Sequence, residues 1–220
     1  MNTTKRNLLL ANLALAAAVG LAAGCASKGY EQGAATGQAL QATAARINQG
    51  NASIDAVTTA LNNLVNNPSG DLVPRYKAYT DAVAKLRDLA LDVKDKAAAM
   101  QSKGQSFFAA WDQQLAQIKN EDIRERSADR KKEVQKEFSD INTSYQKARD
   151  KFKPFMSNLE DIQTYLGSDL TVGGVQSIKK TADKVNDQAA SVKDAITELS
   201  KEFQEMGVAM SNAAPPPPQK

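Results

Sequence analysis

The sequence predicts an all-α protein, built as an elongated antiparallel coiled-coil-like bundle of three to four long helices. In three long segments, apolar side chains recur at alternating spacings of three and four residues. This period of about 3.5 residues is typical of a coiled-coil seam. Turn-forming residues interrupt the pattern at only a few places, and no segment between them shows the sustained alternation that predicts a β-strand.

The first 24 residues have the layout of a signal peptide. Lys5 and Arg6 form a basic start, and an apolar run follows from Leu8 to Ala23. This run is shorter than the roughly 20 residues that a membrane-spanning helix needs. Its length is that of the apolar region of a cleaved signal. We therefore expect residues 1–24 to be absent from the mature protein.

The end of this signal resembles a bacterial lipobox. Leu21-Ala22-Ala23-Gly24 leads directly into Cys25, which is the only cysteine of the chain. The resemblance implies that a peptidase cuts before Cys25 and that its thiol carries a lipid, with diacylglycerol and palmitate as the expected groups. The residue after the cysteine is Ala26 and not the aspartate that retains such proteins in the inner membrane. We therefore expect a location in the cell envelope, anchored in the outer membrane with the bundle in the periplasm. The alternative is an ordinary secretory signal that leaves one free thiol.

The mature chain is predicted to begin with a lipidated polar tether, residues 25–33, followed by a first helix over 34–66. The seam of this helix is sparse, and Gly50 and Asn51 interrupt it. Because glycine disfavours helix, we expect fraying or a kink at this point. Asn67-Pro68-Ser69-Gly70 then predicts a turn.

Three further helices are predicted, over residues 71–119, 121–167 and 173–211. Asn120 is placed to cap the third helix, and Pro154 lies inside it and should bend it. A tail over 212–220 contains four consecutive prolines and is predicted to be disordered, with polyproline structure or a docking role as the alternatives. The seams of these helices run through Leu72, Tyr79, Leu86, Val93, Met100, Phe107 and Trp111; Val134, Ile141, Ala148, Phe155 and Ile162; and Val175, Ala182, Ala189, Ile196 and Phe203.

These seams also predict which residues oppose one another. Folding the second helix onto the third through residues 119–122 sets Gly104 opposite Phe138. A hairpin through residue 172 sets Phe155 opposite Ala189. Small residues thereby face large ones, as antiparallel knobs-into-holes packing requires.

Composition excludes several classes of function. The chain has no histidine, so it lacks an imidazole base, a histidine-containing triad and an imidazole metal ligand. One cysteine cannot form an internal disulfide or a multi-cysteine zinc site. Its 28 basic and 25 acidic residues are nearly balanced, so nucleic-acid binding is not indicated. We expect no enzyme activity, no catalytic residues, no cofactor and no metal.

The strongest candidate contact residues lie around the predicted turn between the second and third helices. They are the aromatic pair Phe108 and Trp111, together with Arg124, Arg126 and Arg130. Exposed aromatic and arginine side chains favour interfaces. The alternative is that Phe107 and Trp111 belong to the core, while interleaved acids neutralise the arginines in a solvated helix start. The carboxylates of Asp88, Asp92 and Asp95 share a helix side, and nearby lysines make a solvated face the preferred interpretation.

Four short stretches between about residues 70 and 186 have a recognisable pattern. They are Phe107-Phe108-Ala109-Ala110-Trp111 leading to Leu115, Lys119-Asn120 before the basic run Arg124–Lys132, Lys153-Pro154-Phe155 followed by Leu159, and the turn from Leu166 to Ile178. With these stretches the segment resembles a bacterial family of unknown function, DUF 2959. The resemblance implies a long helical bundle without an established activity to carry over.

Together these features predict a lipid-anchored cell-envelope lipoprotein of structural or interaction type. It would be held at the membrane by the lipid on Cys25 and act as a tether or scaffold for an unidentified envelope protein or cell-wall partner. The alternative is a membrane-surface or lipid-binding helical module whose apolar faces bind acyl chains. The seams of two chains could also pair with each other, so a homo-oligomer is a further alternative.

Overall fold

The computed structural model describes residues 28–211, and this range contains five helices and no strand. The prediction of an all-α bundle of long helices is confirmed. The predicted signal peptide, Cys25 and the tail 212–220 lie outside the described residues. The helices are α1 (Lys28–Asn66), α2 (Val73–Leu115), α3 (Glu121–Ser168), α4 (Val172–Ser177) and α5 (Lys179–Ser211).

The four long helices run alternately up and down, and each packs on two others. α1 and α3 each lie between α2 and α5; the α1–α5 contact is the most extensive and the α2–α3 contact the least. One end of the bundle, the hairpin end, carries the start of α1, the turn between α2 and α3, and the end of α5. The opposite end, the far end, carries the turns before α2 and before α4. At 1.5 Å per residue, the 48 residues of α3 extend about 72 Å.

The α1–α5 pair keeps one antiparallel register along its length. Asn62 and Asn186 exchange amide hydrogen bonds of 2.8 and 3.3 Å near the far end. Nearer the hairpin end, the Ser200 hydroxyl donates to the carbonyl oxygen of Ala44 at 3.0 Å. Gly37 approaches Gly207 at the hairpin end, where a Cβ added to Gly37 would lie 2.7 Å from the Gly207 carbonyl oxygen. The two helix backbones are thus in close contact at this glycine pair.

The core divides into two clusters along the bundle. The far-end cluster is centred on fully buried residues such as Leu61, Tyr79 and Phe155. The hairpin-end cluster includes Leu40 and Phe203, and several aromatic rings are only partly buried against it. A small apolar cavity of about 110 Å³ lies where residues of the two clusters meet. The bundle is therefore closed at the far end and more loosely packed towards the hairpin end.

The predicted register between α2 and α3 is confirmed. A Cβ at Gly104 would lie 2.7 Å from Phe138 Cε1, so the small residue does face the large ring. In the far half, the hydroxyl of Tyr79 donates to the carbonyl oxygen of Leu159 at 2.6 Å. Burial raises the pKa of Tyr79, which keeps the phenol neutral and able to donate. Phe155 and Ala189 also lie together in the far-end cluster, as predicted.

Two predicted helix limits are wrong at the hairpin end. α1 begins at Lys28 and not at residue 34, so part of the predicted tether 25–33 is helical. Gly33 is buried in this segment and packs against the Phe107 ring of α2, so tertiary contact outweighs its low helix propensity. α2 ends at Leu115 and not at 119. The chain after Leu115 forms a tighter turn than an α-helix, because the N–H groups of Gln117 and Ile118 donate to carbonyl oxygens three residues back.

The other limits agree within two residues, except that the fourth predicted helix is divided. The short helix α4 precedes a break at Ile178, and α5 continues to Ser211. The hydroxyl of Thr171 caps α4 by accepting from the Gly174 N–H at 3.1 Å. Asn120 caps α3 as predicted, accepting from the Ile123 N–H at 3.1 Å. Pro154 lies inside α3, which continues through it, and the predicted bend stays a prediction.

The fraying predicted at Gly50 is wrong, and the alternative of a kink stays a prediction. α1 runs without a break through this position. The missing side chain leaves room for Ile196 of α5, and Asn51 donates to the Thr197 hydroxyl at 3.0 Å. Packing on α5 therefore holds a helix that the local sequence would weaken.

The two α1 glycines are expected to respond oppositely to alanine. Gly37→Ala places a methyl group against the backbone of Gly207 and Ser211, which cannot move aside, and we expect a loss of about 1–3 kcal/mol in the free energy of unfolding. Gly50→Ala meets only the end of the Ile196 side chain, so the higher helix propensity of alanine should leave stability unchanged or raise it by up to about 1 kcal/mol. Urea unfolding of both chains measures the difference. Equal changes would contradict the close glycine contact.

Candidate functional site

The aromatic residues predicted as a contact patch lie together at the hairpin end. Phe107 and Trp111 of α2 meet edge to face with centroids 5.4 Å apart, and Phe108 meets Phe138 of α3 at 5.8 Å. The indole N–H of Trp111 donates to the Ser127 hydroxyl at 3.0 Å, which ties α2 to α3 near their turn. All four rings are half-buried. Phe108, expected to be exposed, therefore packs between α2 and α3, and Trp111 is partly buried in the same way.

The predicted arginines lie on the exposed start of α3, where acids neutralise most of them. Arg124 pairs with Glu121, and Arg130 pairs with Glu133 at 2.9 Å. Arg126 is exposed and has no ion pair within residues 28–211. Exposed pairs contribute little to stability and leave little net charge to attract an anion. The arrangement matches the alternative of a solvated helix start more closely than a basic binding surface.

A cleft of about 330 Å³ opens beside this aromatic group. Residues of α1, α2, α3 and α5 line it, with the polar side chains of Gln114, Arg130 and Glu137 among them. Sequence reasoning missed this cleft, because its lining comes from four separate helices. Its lining comprises Gly33, Phe107, Ala110, Trp111, Gln114, Arg130, Val134, Glu137, Ala209 and Met210.

A second surface, at the far end, was not predicted. Val73, Tyr165 and Val172 are 61%, 42% and 47% exposed, and they lie at the start of α2, the end of α3 and the start of α4. α2 and α3 are neighbours here, since the Tyr76 hydroxyl donates to the Gln163 carbonyl oxygen at 2.8 Å. These three residues fall outside the heptad seams, so only their apolar side chains could have indicated a contact surface in the sequence. Apolar side chains are therefore exposed to solvent at the far end.

Acidic residues line a cleft between α3 and α5. Glu137, Asp140, Glu202 and Glu205 border it, and the Ser144 hydroxyl donates to Glu202 Oε1 at 2.9 Å. Burial raises the pKa of Glu202, and Glu198 and Asp140 raise it further, against the opposing effect of Ser144 and Lys147. The folded state thus favours the protonated form of Glu202. Within residues 28–211, no group of three or more acidic or cysteine side chains is arranged to hold a metal ion.

Glu202→Gln is expected to stabilise the bundle at neutral pH. Because the folded-state pKa is raised, the stability linked to this carboxyl is greatest below its unfolded value and is lost as pH rises through the folded value. Glutamine keeps the acceptor for Ser144 without the charge. We expect the melting temperature to rise at pH 7, where the carboxyl of the parent chain is charged, and the difference to disappear at acidic pH, where it is protonated in both the folded and the unfolded chain. An equal change at both pH values would contradict this explanation.

The carboxylates of α2 behave as a solvated face. Asp92 pairs with Arg46 of α1 at 2.5 Å and with Lys96 at 3.6 Å. The hydrogen bond from Arg46 holds the pKa of Asp92 below its usual range. Asp88 and Asp95 are exposed beside it. Asp92 therefore joins α1 to α2, and its neighbours face solvent.

Among the helices of residues 28–211, none is long and apolar enough to cross a membrane. The model of the family described as "protein of unknown function (DUF2959)" matches residues 27–212. No curated protein and no solved structure matches the chain. The family match covers every described helix.

Proposed function

The chain belongs to the DUF2959 family, whose description names no activity, and we propose that it is a lipid-anchored spacer of the cell envelope. In this proposal it is a structural or interaction protein without enzyme activity. Cys25 carries the lipid, the packed helices supply rigidity, and the far end holds a partner at a distance from the outer membrane. The lipobox resemblance and the length of the bundle support this function.

The observation that carries the proposal is the continuity of α1. This helix begins at Lys28, three residues after Cys25, and runs for 39 residues without a break. A lipid on Cys25 would therefore be joined to a rigid helix almost directly, with no long tether between them. At 1.5 Å per residue, α1 carries the chain about 58 Å from the anchor.

This arrangement assigns different roles to the two ends of the bundle. The hairpin end, with Trp111 and the arginines, would lie beside the membrane surface and not at the partner. The far end would be presented to the envelope, and its exposed side chains Val73, Tyr165 and Val172 would meet the partner. Exposed apolar side chains suit a protein partner better than a hydrophilic cell-wall polymer.

A membrane-surface module is the second candidate function. Ile123 at the hairpin end is 56% exposed, next to Arg124 and near Arg126. An apolar side chain among arginines is typical of a segment that lies at a lipid headgroup surface. In this case the bundle would bind lipid through its hairpin end or its side and would need no protein partner.

In-cell photo-crosslinking tests the spacer. A photoreactive amino acid at Tyr165 samples the far end, and one at Asp81, exposed along the side of α2, is the matched control. We expect Tyr165 to crosslink to one envelope protein, Asp81 to give no such product, and Cys25→Ala to remove the Tyr165 product. Crosslinks to lipid from both positions, or only to a second copy, would contradict the spacer function.

A further inference from the structure

We propose that the cleft at the hairpin end is a docking site for the chain's own proline segment, Pro215–Pro218. Ala209 and Met210 of α5 line this cleft, and Pro215–Pro218 follow them closely in the sequence. This inference concerns the bundle itself and does not depend on the lipid anchor.

Residues of all four long helices line this cleft, and beyond the level of Ser211 the described parts of α1, α2 and α3 continue towards the hairpin end. Gly37 of α1 lies against Ser211, and α1 extends a further nine residues from there, to Lys28. Ser144 pairs with Glu202 at 2.9 Å, which fixes the register of α3 on α5. At this register the end of α5 is level with Val134 and Glu137, which line the cleft together with Ala209 and Met210. The first part of α3 therefore extends beyond Ser211, the last described residue of α5.

The length of chain after α5 matches the distance to the aromatic rings. Pro215 comes four residues after Ser211, and a polyproline chain rises about 3.1 Å per residue, so it reaches about 12 Å. Trp111 is fixed to Ser127, which lies about two helical turns before Val134, or roughly 11 Å along α3. The prolines can therefore reach the Trp111 ring without unwinding α5.

The lining of the cleft suits a polyproline segment. Proline has no N–H to satisfy, and its ring packs well against flat aromatic faces such as those of Phe107 and Trp111. Its carbonyl oxygens need donors, and Gln114 and Arg130, whose side chains carry N–H groups, are among the residues that line the cleft. Because the polyproline conformation is already extended, docking loses little conformational entropy.

The single tryptophan of the chain reports directly on this cleft. The experiment uses the mature-length chain from residue 25 to 220 with Cys25→Ser, in lipid-free buffer, so that no acyl group competes. Acrylamide quenching of Trp111 fluorescence is compared with that of a chain in which Pro215–Pro218 are replaced by serine. The matched control replaces Ala213 and Ala214 by serine and leaves the prolines intact.

Docking predicts that the proline replacement raises the Stern–Volmer constant about twofold, while the control stays unchanged. A synthetic peptide of residues 212–220 should lower the constant again in a chain that ends at Ser211, and should have no effect on the intact chain. Equal quenching of the intact and proline-replaced chains would overturn the proposal. So would protection of Trp111 that requires phosphatidylglycerol vesicles or rises with protein concentration, which would assign the cleft to a bilayer or to a second copy.

Discussion

Phe155→Ala is expected to lower the free energy of unfolding by about 3–5 kcal/mol, which is a large loss for the truncation of one side chain. The Phe155 ring has no exposed surface and lies at the centre of the far-end cluster. Its removal leaves a cavity that rigid neighbouring helices cannot close. Urea unfolding followed by circular dichroism measures the loss.

Phe152→Ala is the matched control for this substitution. The Phe152 ring lies 6.3 Å from that of Phe155 on the same helix, but it is only half-buried. We expect a loss of about 1–2 kcal/mol, because less apolar surface leaves water in the folded state. Equal losses for the two substitutions would mean that the far-end core is not packed as described.

Cys25→Ala, made together with an ordinary cleavable secretory signal in place of residues 1–24, is expected to release the protein from the membrane. Without the thiol no lipid can be attached, and none of the helices within residues 28–211 can take its place as a membrane span. Fractionation of cells with detection of the protein in soluble and membrane fractions measures the change. Ala26→Ser, which keeps the thiol, should leave the protein in the membrane fraction.

Mass spectrometry of the protein from the Ala26→Ser and parent chains should show an acylated N-terminal Cys25. A Cys25→Ala chain that stays in the membrane fraction to the same extent as the parent would contradict the lipid anchor. It would favour direct attachment through the hairpin end.

The helices and their mutual register could be predicted because the seams are nearly regular. A heptad repeat fixes which face of each helix is buried, and alternation of small and large residues fixes the level at which two helices meet. The opposition of Gly104 and Phe138 follows from these two constraints alone. Such predictions need only local spacing and the position of one turn.

The ends of the helices and both candidate surfaces could not be predicted in this way. The extension of α1 to Lys28 depends on packing of Gly33 against Phe107, and the continuity at Gly50 depends on Ile196. The lining of the cleft beside Trp111 comes from four helices, so the cleft depends on how they pack together. The exposed far-end residues Val73 and Tyr165 lie off the seams, where the heptad pattern carries no information.

Energy transfer from the bundle to a labelled bilayer tests most directly whether the chain stands on the membrane as a spacer. Lipidation occupies Cys25, so Ser69→Cys at the far end and Gln117→Cys at the hairpin end can each carry a single donor dye. With acceptor lipids in the vesicle, a standing bundle predicts strong transfer from position 117 and almost none from position 69, about 58 Å away along α1. Equally strong transfer from both positions would show a bundle lying flat on the membrane and would contradict the spacer function.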